Sequence, residues 1–245
     1  MDVSKIDSKS LRGKLLRLSL RLVPPGTIVP ILSGGLRGKK WIVGSSIHGC
    51  WLGTYEYEKQ VIFSKSVSPK STVFDIGGNV GFYTLLASKR VGPDGKVFVF
   101  EPLPRNLIYL RKHLQLNNIN NVIVIEAALS DKNGFAFFGA GPRGEMAHIA
   151  SSGQLQVETW TLDHLLELGQ IQLPDCIKMD IEGAEFDALR GAKSLLSKAH
   201  PTIFLATHGT IVHRECCGLL QSLGYRLVPI DGNALENSRE IIAVY

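Results

Sequence analysis

The sequence lacks the features of membrane-spanning, zinc-binding and disulfide-stabilised proteins. None of its apolar runs reaches the roughly 18 residues that a membrane-spanning helix needs. The apolar positions between Leu11 and Val23 are interrupted by lysine and arginine residues, which also argues against a signal-peptide core. Its four cysteines show no C-x-x-C spacing, and the adjacent pair Cys216-Cys217 has poor geometry for a disulfide. The sequence therefore predicts a cytoplasmic protein with reduced thiols and no structural zinc.

Positive charge is concentrated at the N-terminus. Residues 1–40 contain nine lysine and arginine residues and two aspartates, whereas residues 41–245 contain 18 basic and 20 acidic residues. Leucines recur at helical spacing between these basic residues, which predicts a short basic amphipathic helix. This helix either docks on the domain through its leucines or, over residues 9–23, lies on an anionic membrane surface at the inner face of a membrane. We expect residues 1–50 to form a basic N-terminal extension and residues 51–245 to form one α/β domain.

From residue 71 onwards, apolar strands alternate with amphipathic helices. The predicted strands are Thr72–Ile76, Gly95–Phe100, Val122–Ala127, Cys176–Ile181, Thr202–Ala206, Tyr225–Pro229 and Glu240–Tyr245. The predicted helices between them are Asn79–Val91, Leu103–Asn117, Ala184–Ser197 and Val212–Leu223. This alternation predicts a mostly parallel sheet with helices on both faces and ligands at the carboxyl ends of its strands. Residues 131–170 interrupt it with an extra strand pair, Phe135–Phe138 and Val157–Trp160, and a short helix, Leu162–Leu168.

A glycine-rich turn follows the first of these strands, in Asp75-Ile76-Gly77-Gly78-Asn79-Val80-Gly81. Its glycine spacing does not match the dinucleotide motif G-x-G-x-x-G. It does not match a P-loop either, because no lysine follows its last glycine. An acidic residue before the turn suits a ligand with an ammonium group, and Glu101, at the end of the next strand, is placed to accept ribose hydroxyls. An ammonium group and a ribose diol without phosphates describe S-adenosylmethionine.

Three blocks resemble the FkbM family of class I S-adenosylmethionine-dependent methyltransferases: 73–84, 99–102 and 177–185. The third, Ile177-Lys178-Met179-Asp180-Ile181-Glu182-Gly183-Ala184-Glu185, is similar to the K-x-D-x-E-G-x-E element that distinguishes this family. Thr161-Leu162-Asp163 and Gly53-Thr54-Tyr55-Glu56 also resemble family features. The resemblance covers roughly residues 50–230. It implies a Rossmann-like α/β fold with a seven-stranded, mostly parallel sheet, helices on both faces and an antiparallel last strand.

The resemblance also implies which residues contact the cofactor. The methionine end would be lined by Asp75, Gly77, Gly78, Asn79 and Gly81. Glu101 would bind the ribose, and Ala127, Ala128 and Leu129 would border the adenine. Asp180 would lie beside the sulfonium, and Tyr55 and Glu56 would close over the methionine or the acceptor.

A hydroxyl acceptor must lose its proton as the new bond to the methyl group forms. The candidates for the catalytic base are Asp180, His208, Glu182 and Glu185, with His48 as a weaker one. Glu182 and Glu185 have an alternative role in complementing a helix N-terminus, and His208 has one in capping or in the core. Asp180, Glu182, Glu185 and His208 would also make a plausible magnesium or manganese site, but nothing in their spacing demands a metal, and we expect none. The family often has a glutamate two residues before this histidine, where this chain has Ala206.

The resemblance implies O-methylation of a sugar, glycan, glycolipid or natural product. Two alternatives remain: an N- or carboxyl-methyltransferase on the same fold, and a non-catalytic module that binds the cofactor or a membrane surface. Residues 41–245 are slightly acidic and lack a basic stripe interleaved with stacking aromatic side chains, so we expect no nucleic-acid partner.

Overall fold

The structure is a computed structural model that describes residues 22–140, 147–150 and 155–245. The strands in these ranges are β1 (Ile28–Pro30), β2 (Lys40–Ile42), β3 (Thr72–Ile76), β4 (Lys96–Phe100), β5 (Val122–Ile125), β6 (Ala128–Leu129), β7 (Gly134–Ala140), β8 (Ala147–Ala150), β9 (Leu155–Trp160), β10 (Cys176–Met179), β11 (Thr202–Ala206), β12 (Arg226–Pro229) and β13 (Glu240–Val244). The helices are α1 (His48–Leu52), α2 (Tyr57–Ser66), α3 (Phe82–Val91), α4 (Pro104–Leu116), α5 (Leu162–Glu167), α6 (Glu185–Arg190), α7 (Lys193–Ala199) and α8 (Thr210–Ser222).

Most of the predicted basic helix lies within residues 1–21, which are outside these ranges. Membrane contact through residues 9–23 therefore stays a prediction. Within the described ranges, no helix has both the length and the apolar character needed to cross a bilayer.

Seven strands form the central sheet, in the order β12-β13-β11-β10-β3-β4-β5. Strands β11, β10, β3, β4 and β5 run parallel, and β13 pairs antiparallel with both of its neighbours. This confirms the predicted seven-stranded, mostly parallel sheet with an antiparallel last strand. The chain order reverses between β3 and β10, and ligands bind at such a switch point in open α/β sheets.

The two faces of the sheet pack against separate apolar cores. Every residue of β3 is buried, as expected for a strand covered by helices on both sides. Successive residues of β4 alternate between the cores: Val97 and Val99 belong to one, and Phe98 and Phe100 to the other.

The β1–β2 hairpin packs into the first of these cores. Trp41 is completely buried and stacks on the ring of His113, with ring centroids 3.9 Å apart. Nε2 of His113 accepts a hydrogen bond from the backbone N–H of Ile42 at 3.1 Å. The hairpin residues 28–42 therefore share a core with the α/β domain, and the domain boundary at residue 50 stays a prediction.

The predicted helix Ala184–Ser197 is wrong as a single element, because the structure divides it into α6 and α7. A Cβ atom on Gly191, between the two helices, would lie 2.1 Å from the carbonyl oxygen of Ser130. The Asp163 carboxylate accepts hydrogen bonds from the backbone N–H groups of Ser194 and Leu195 at 2.9 and 2.7 Å, in the first turn of α7. Close packing at the glycine and capping by Asp163 explain the break.

The predicted strand pair is confirmed, since β7 pairs antiparallel with β9. The two strands belong to a four-stranded sheet with the order β6-β9-β7-β8, which the sequence did not predict. Strand β6 has only two residues and pairs parallel to the end of β9.

Candidate active site

The glycine-rich turn joins β3 to α3 at the centre of the sheet. The backbone N–H groups of Gly77 and Gly78 donate to the Phe100 carbonyl at 2.9 and 3.1 Å. Gly77, Asn79 and Gly81 have positive φ angles of 79°, 50° and 96°. The sequence predicted that this helix begins at Asn79, but α3 begins at Phe82. The difference arises because left-handed residues cannot continue an α-helix.

The turn fits closely between its neighbouring strands. A Cβ atom on Gly77 would lie 2.1 Å from the Asp180 carbonyl oxygen, and one on Gly78 would lie 2.1 Å from Cγ2 of Val99. Protein packing alone thus requires glycine at both positions. The same packing leaves bare backbone facing the cavity above the sheet.

This cavity has a volume of about 790 Å³ and lies at the carboxyl ends of β3, β4 and β10. Most of the predicted cofactor residues line it: Tyr55, Gly77, Gly78, Asn79, Glu101, Ala127, Ala128, Leu129 and Asp180. Asp75, Gly81 and Glu56 lie outside its lining. The lining also includes residues 44–47, which carry no recognisable motif in the sequence.

Glu101 is fixed at the end of β4 by three hydrogen bonds. Its carboxylate accepts from the backbone N–H groups of Asn79 and Leu103 at 2.8 and 2.9 Å, and from the Asn106 amide at 3.2 Å. Its burial raises the pKa of this carboxyl above the ordinary value, and these three bonds oppose the shift. Asn106 was not predicted from the sequence, although it lies one helical turn beyond Glu101.

Asp75 lies beneath the turn and is almost completely buried. Oδ2 accepts a hydrogen bond from Thr84 Oγ1 at 2.6 Å, and Oδ1 has no hydrogen-bond donor among the described residues. Burial raises the pKa of this carboxyl, and the nearby Lys178 ammonium counteracts the shift. Thr84 and Lys178 therefore hold Asp75 beneath the turn, outside the cavity lining.

Lys178 lies between Asp75 and Asp180. Nζ is 3.9 Å from Asp75 Oδ1 and 3.6 Å from Asp180 Oδ2. Burial acts to lower the pKa of Lys178, but the surrounding carboxylates, with Asp180 and Asp75 foremost, together outweigh it and the pKa is raised. Burial acts to raise the pKa of Asp180, but the ammonium groups of Lys178 and Lys59 outweigh it and the pKa is lowered. Lys178 is therefore a charged partner of these carboxylates rather than a base.

Glu56 turns toward a second group of buried charges instead of the cavity. Its backbone is left-handed, with a φ of 46°. Its Oε2 accepts a hydrogen bond from the Tyr83 hydroxyl, with the two oxygens 2.9 Å apart. Lys59 Nζ lies 3.3 Å from Glu56 and 2.6 Å from Glu240. Lys59, Tyr83 and Glu240 carried no signal in the sequence, and the Lys59–Glu240 contact joins segments more than 150 residues apart.

The four predicted catalytic residues lie together beside the cavity. His208 Nδ1 donates a hydrogen bond to Glu185 Oε1 at 2.7 Å, and Glu185 is completely buried. His208 Nε2 lies 3.4 Å from Glu182 Oε2 and 3.7 Å from Asp180 Oδ1. The bond to Glu185 raises the pKa of His208. We call Asp180, Glu182 and His208 the acid–histidine cluster. His48 is not part of it, because its Nδ1 accepts a hydrogen bond from Trp51 Nε1 at 3.1 Å.

The sheet order and the cavity define a class I methyltransferase fold. A solved structure of methyltransferase FkbM from Methylobacillus flagellatus KT shares this fold, with a TM-score of 0.53 and 18% identity, over 73% of this chain and 44% of that chain. Residues 75–227 match the family described as Methyltransferase FkbM domain, so this chain belongs to the FkbM methyltransferase family.

Two curated relatives carry names that specify a sugar acceptor or a position of methylation. The chain is 27% identical to hexuronic acid methyltransferase AglP of Haloferax volcanii over 60% of this chain and 60% of that protein. It is 28% identical to 2-O-methyltransferase NoeI of Sinorhizobium fredii over 56% of this chain and 63% of that protein. The matched region thus spans less than two thirds of either relative.

Proposed function

We propose that this protein transfers a methyl group from S-adenosylmethionine to a hydroxyl group of a carbohydrate. The observation that carries the proposal is the position of Asp180. It lines the cavity beside the glycine-rich turn and also belongs to the acid–histidine cluster. Glu182 lines the cavity as well, so the cavity and the group of proton acceptors have two carboxylates in common, as suits methylation of a hydroxyl.

Three features of the cavity fit this cofactor. The carboxylate of Asp180, in the cavity lining beside the turn, favours a cationic group there. The carboxylate of Glu101 is held at the cavity wall, where it suits a ribose diol. Gly77 and Gly78 have no side chains, so their backbone lines the cavity directly. When bound, S-adenosylmethionine supplies an electrophilic methyl group on a sulfonium.

The protein's own contribution is positioning and proton removal. Positioning supplies much of the acceleration in a direct displacement. A hydroxyl is a weak nucleophile, and its proton passes to the acid–histidine cluster, where Nε2 of His208 and Oε2 of Glu182 face each other. Glu185 sets the orientation of the imidazole through Nδ1. An amine acceptor has no need of this cluster, which favours a hydroxyl over the N-methylation alternative.

The names of the two relatives support a carbohydrate acceptor. One is described as a hexuronic acid methyltransferase and the other as a 2-O-methyltransferase. We therefore place a sugar ring hydroxyl first among the acceptors, ahead of other natural products.

The test is methyl transfer from tritium-labelled S-adenosylmethionine to a panel of uronic-acid, hexose, deoxyhexose and amino-sugar oligosaccharides. We expect alkali-stable label in a methyl ether on a sugar ring carbon, with the position of the methyl group assigned by NMR. Asp180→Asn should abolish transfer. The matched control Asp187→Asn should retain it, because that side chain is 52% exposed and lies on the neighbouring helix α6. Alkali-labile label would instead reveal a methyl ester, and label on an amino sugar nitrogen would reveal N-methylation; either would overturn the proposal.

A further inference from the structure

We propose that the acid–histidine cluster binds a divalent metal ion of the Mn²⁺ or Mg²⁺ type, which holds the hydroxyl of the acceptor. This inference rests on the proposed function, because the metal acts on the same acceptor. It goes beyond that function by assigning a metal to a site for which the sequence predicted none.

The spacing of the three residues suits one ion. Each residue offers a ligand atom, and these atoms all lie within 4.8 Å of one another. Atoms that ligate one ion at about 2.1 Å are about 3 Å apart when adjacent and about 4.2 Å apart when opposite. His208 Nε2 lies 3.4 Å from Glu182 and 3.7 Å from Asp180. Shifts of a few tenths of an ångström, small for partly exposed side chains, would complete the geometry.

Glu185 provides an independent observation that points to a metal. A histidine that ligates a metal almost always donates its other ring N–H to a carboxylate or carbonyl, which fixes the tautomer and aims the ligating nitrogen. Glu185 accepts from Nδ1 of His208 at 2.7 Å, and its side chain is completely buried. Its second oxygen has no hydrogen-bond donor among the described residues. A buried carboxylate thus aims Nε2 at two further carboxylates.

The charge balance around the cluster also favours a dication. Three carboxylates, those of Asp180, Glu182 and Glu185, surround one imidazole. The only ammonium within 4 Å of these carboxylates in the described part of the chain is that of Lys178. It lies beside Oδ2 of Asp180, which leaves Oδ1 to face His208. A divalent ion would offset the remaining negative charge.

Two carboxylates and one imidazole leave open positions on a six-coordinate ion for water and for a hydroxyl. A metal-bound hydroxyl loses its proton more readily. With Nε2 bound to the metal, that proton passes to the carboxylate oxygen of Glu182 that does not bind the metal. The oxygen–methyl bond forms as the methyl–sulfur bond breaks, and the sulfur keeps the electron pair of that bond.

Binding is tested with Mn²⁺ on the full chain after chelator treatment, by the loss of the free Mn²⁺ resonance in electron paramagnetic spectra. We expect one Mn²⁺ per chain. Glu182→Gln should weaken binding by at least about 10-fold, and Glu185→Gln by about 10- to 100-fold. Glu182 is 37% exposed, so its replacement should leave folding intact. Asp187→Asn is the matched control and should bind as the wild type does.

The outcomes separate the metal from the proposed function. Mn²⁺ binding that is lost in Glu182→Gln, with methyl transfer abolished by chelator and restored by Mn²⁺ or Mg²⁺, supports the proposal. Mn²⁺ binding that is the same in every variant, or full activity in excess chelator, overturns the metal site and leaves the proposed function standing. Specific Mn²⁺ binding without transfer to any hydroxyl would keep the metal site and remove the proposed function.

Discussion

Glu185 accepts a hydrogen bond from Nδ1 of His208 across 2.7 Å and has no exposed side-chain surface. It also accepts from the backbone N–H of Gly183 at 3.0 Å, so it fixes both the imidazole and the loop before α6. No part of Glu185 lines the cavity. We therefore propose that Glu185 positions His208, although its place in the sequence motif also suggested a catalytic base.

Glu185→Gln should slow methyl transfer without weakening cofactor binding. The amide keeps the size of the side chain but loses the charge that holds the imidazole N–H. We expect kcat to fall by about 10- to 100-fold and the Kd for S-adenosylmethionine to stay within about 2-fold, because the cavity is unchanged. Steady-state kinetics and calorimetric titration measure the two quantities. A parallel loss of both, with a lower Tm, would instead indicate a purely structural role.

Glu101→Gln should weaken cofactor binding. The carboxylate accepts three hydrogen bonds and faces the cavity, whereas an amide brings an NH₂ group against donors such as the backbone N–H of Asn79. Loss of a charge-assisted bond to a ribose hydroxyl costs about 1.5–3 kcal/mol, so the Kd should rise by about 10- to 100-fold. Glu126→Gln is the control, because that side chain is 53% exposed and pairs with Arg111. An unchanged Kd would remove Glu101 from the cofactor site.

Much of the sheet and many of the residues that line the cavity could be predicted from the sequence, because they depend on local patterns. The apolar runs from Thr72 and Gly95 and the glycine turn between them define a β-α-β unit without reference to the rest of the chain. The ends of parallel strands meet at one edge of the sheet, which brings Glu101 and Asp180 to the same cavity.

Features that depend on contacts between distant segments could not be predicted. Asp75 and Lys178 are register partners on β3 and β10, more than 100 residues apart, and this pairing keeps Asp75 beneath the turn rather than in the cavity. The cavity wall at residues 44–47 follows from the docking of the β1–β2 hairpin on α4, which rests on a buried histidine rather than on a motif.

Gly77→Ala should destabilise the fold more than Gly169→Ala does. Both glycines have positive φ angles, 79° and 67°, so alanine meets a backbone penalty of about 1–2 kcal/mol at each. A Cβ atom on Gly77 would also lie 2.1 Å from the Asp180 carbonyl, whereas one on Gly169 would meet nothing within 4 Å. We expect an additional loss of about 1–3 kcal/mol at Gly77, measured by urea denaturation. Equal losses would show that the turn relaxes away from β10.

His113 should make the stability of the fold depend on pH. Burial lowers its pKa to about 4, below the value of about 6.5 in an unfolded chain. The neutral ring accepts from the Ile42 N–H through Nε2, and its Nδ1 contacts the Val80 carbonyl at 2.7 Å. A proton on Nε2 would face the Ile42 donor. The His113 ring therefore links the β1–β2 hairpin to the glycine-rich turn only while the ring is neutral.

Between pH 6.5 and pH 4 the unfolded chain binds this proton and the folded chain does not. The contribution of the neutral ring is therefore complete above about pH 6.5 and is lost as the pH falls toward 4. Between pH 7 and pH 5 this group should cost the folded state about 2 kcal/mol. Urea denaturation of wild type and His113→Gln at both values isolates it, because the other titrating groups are common to the two proteins. The stability advantage of the wild type should shrink by about that amount at pH 5. An advantage that is the same at both pH values would mean that folding does not change the pKa of His113, so that the folded protein takes up this proton at pH 5 as the unfolded chain does.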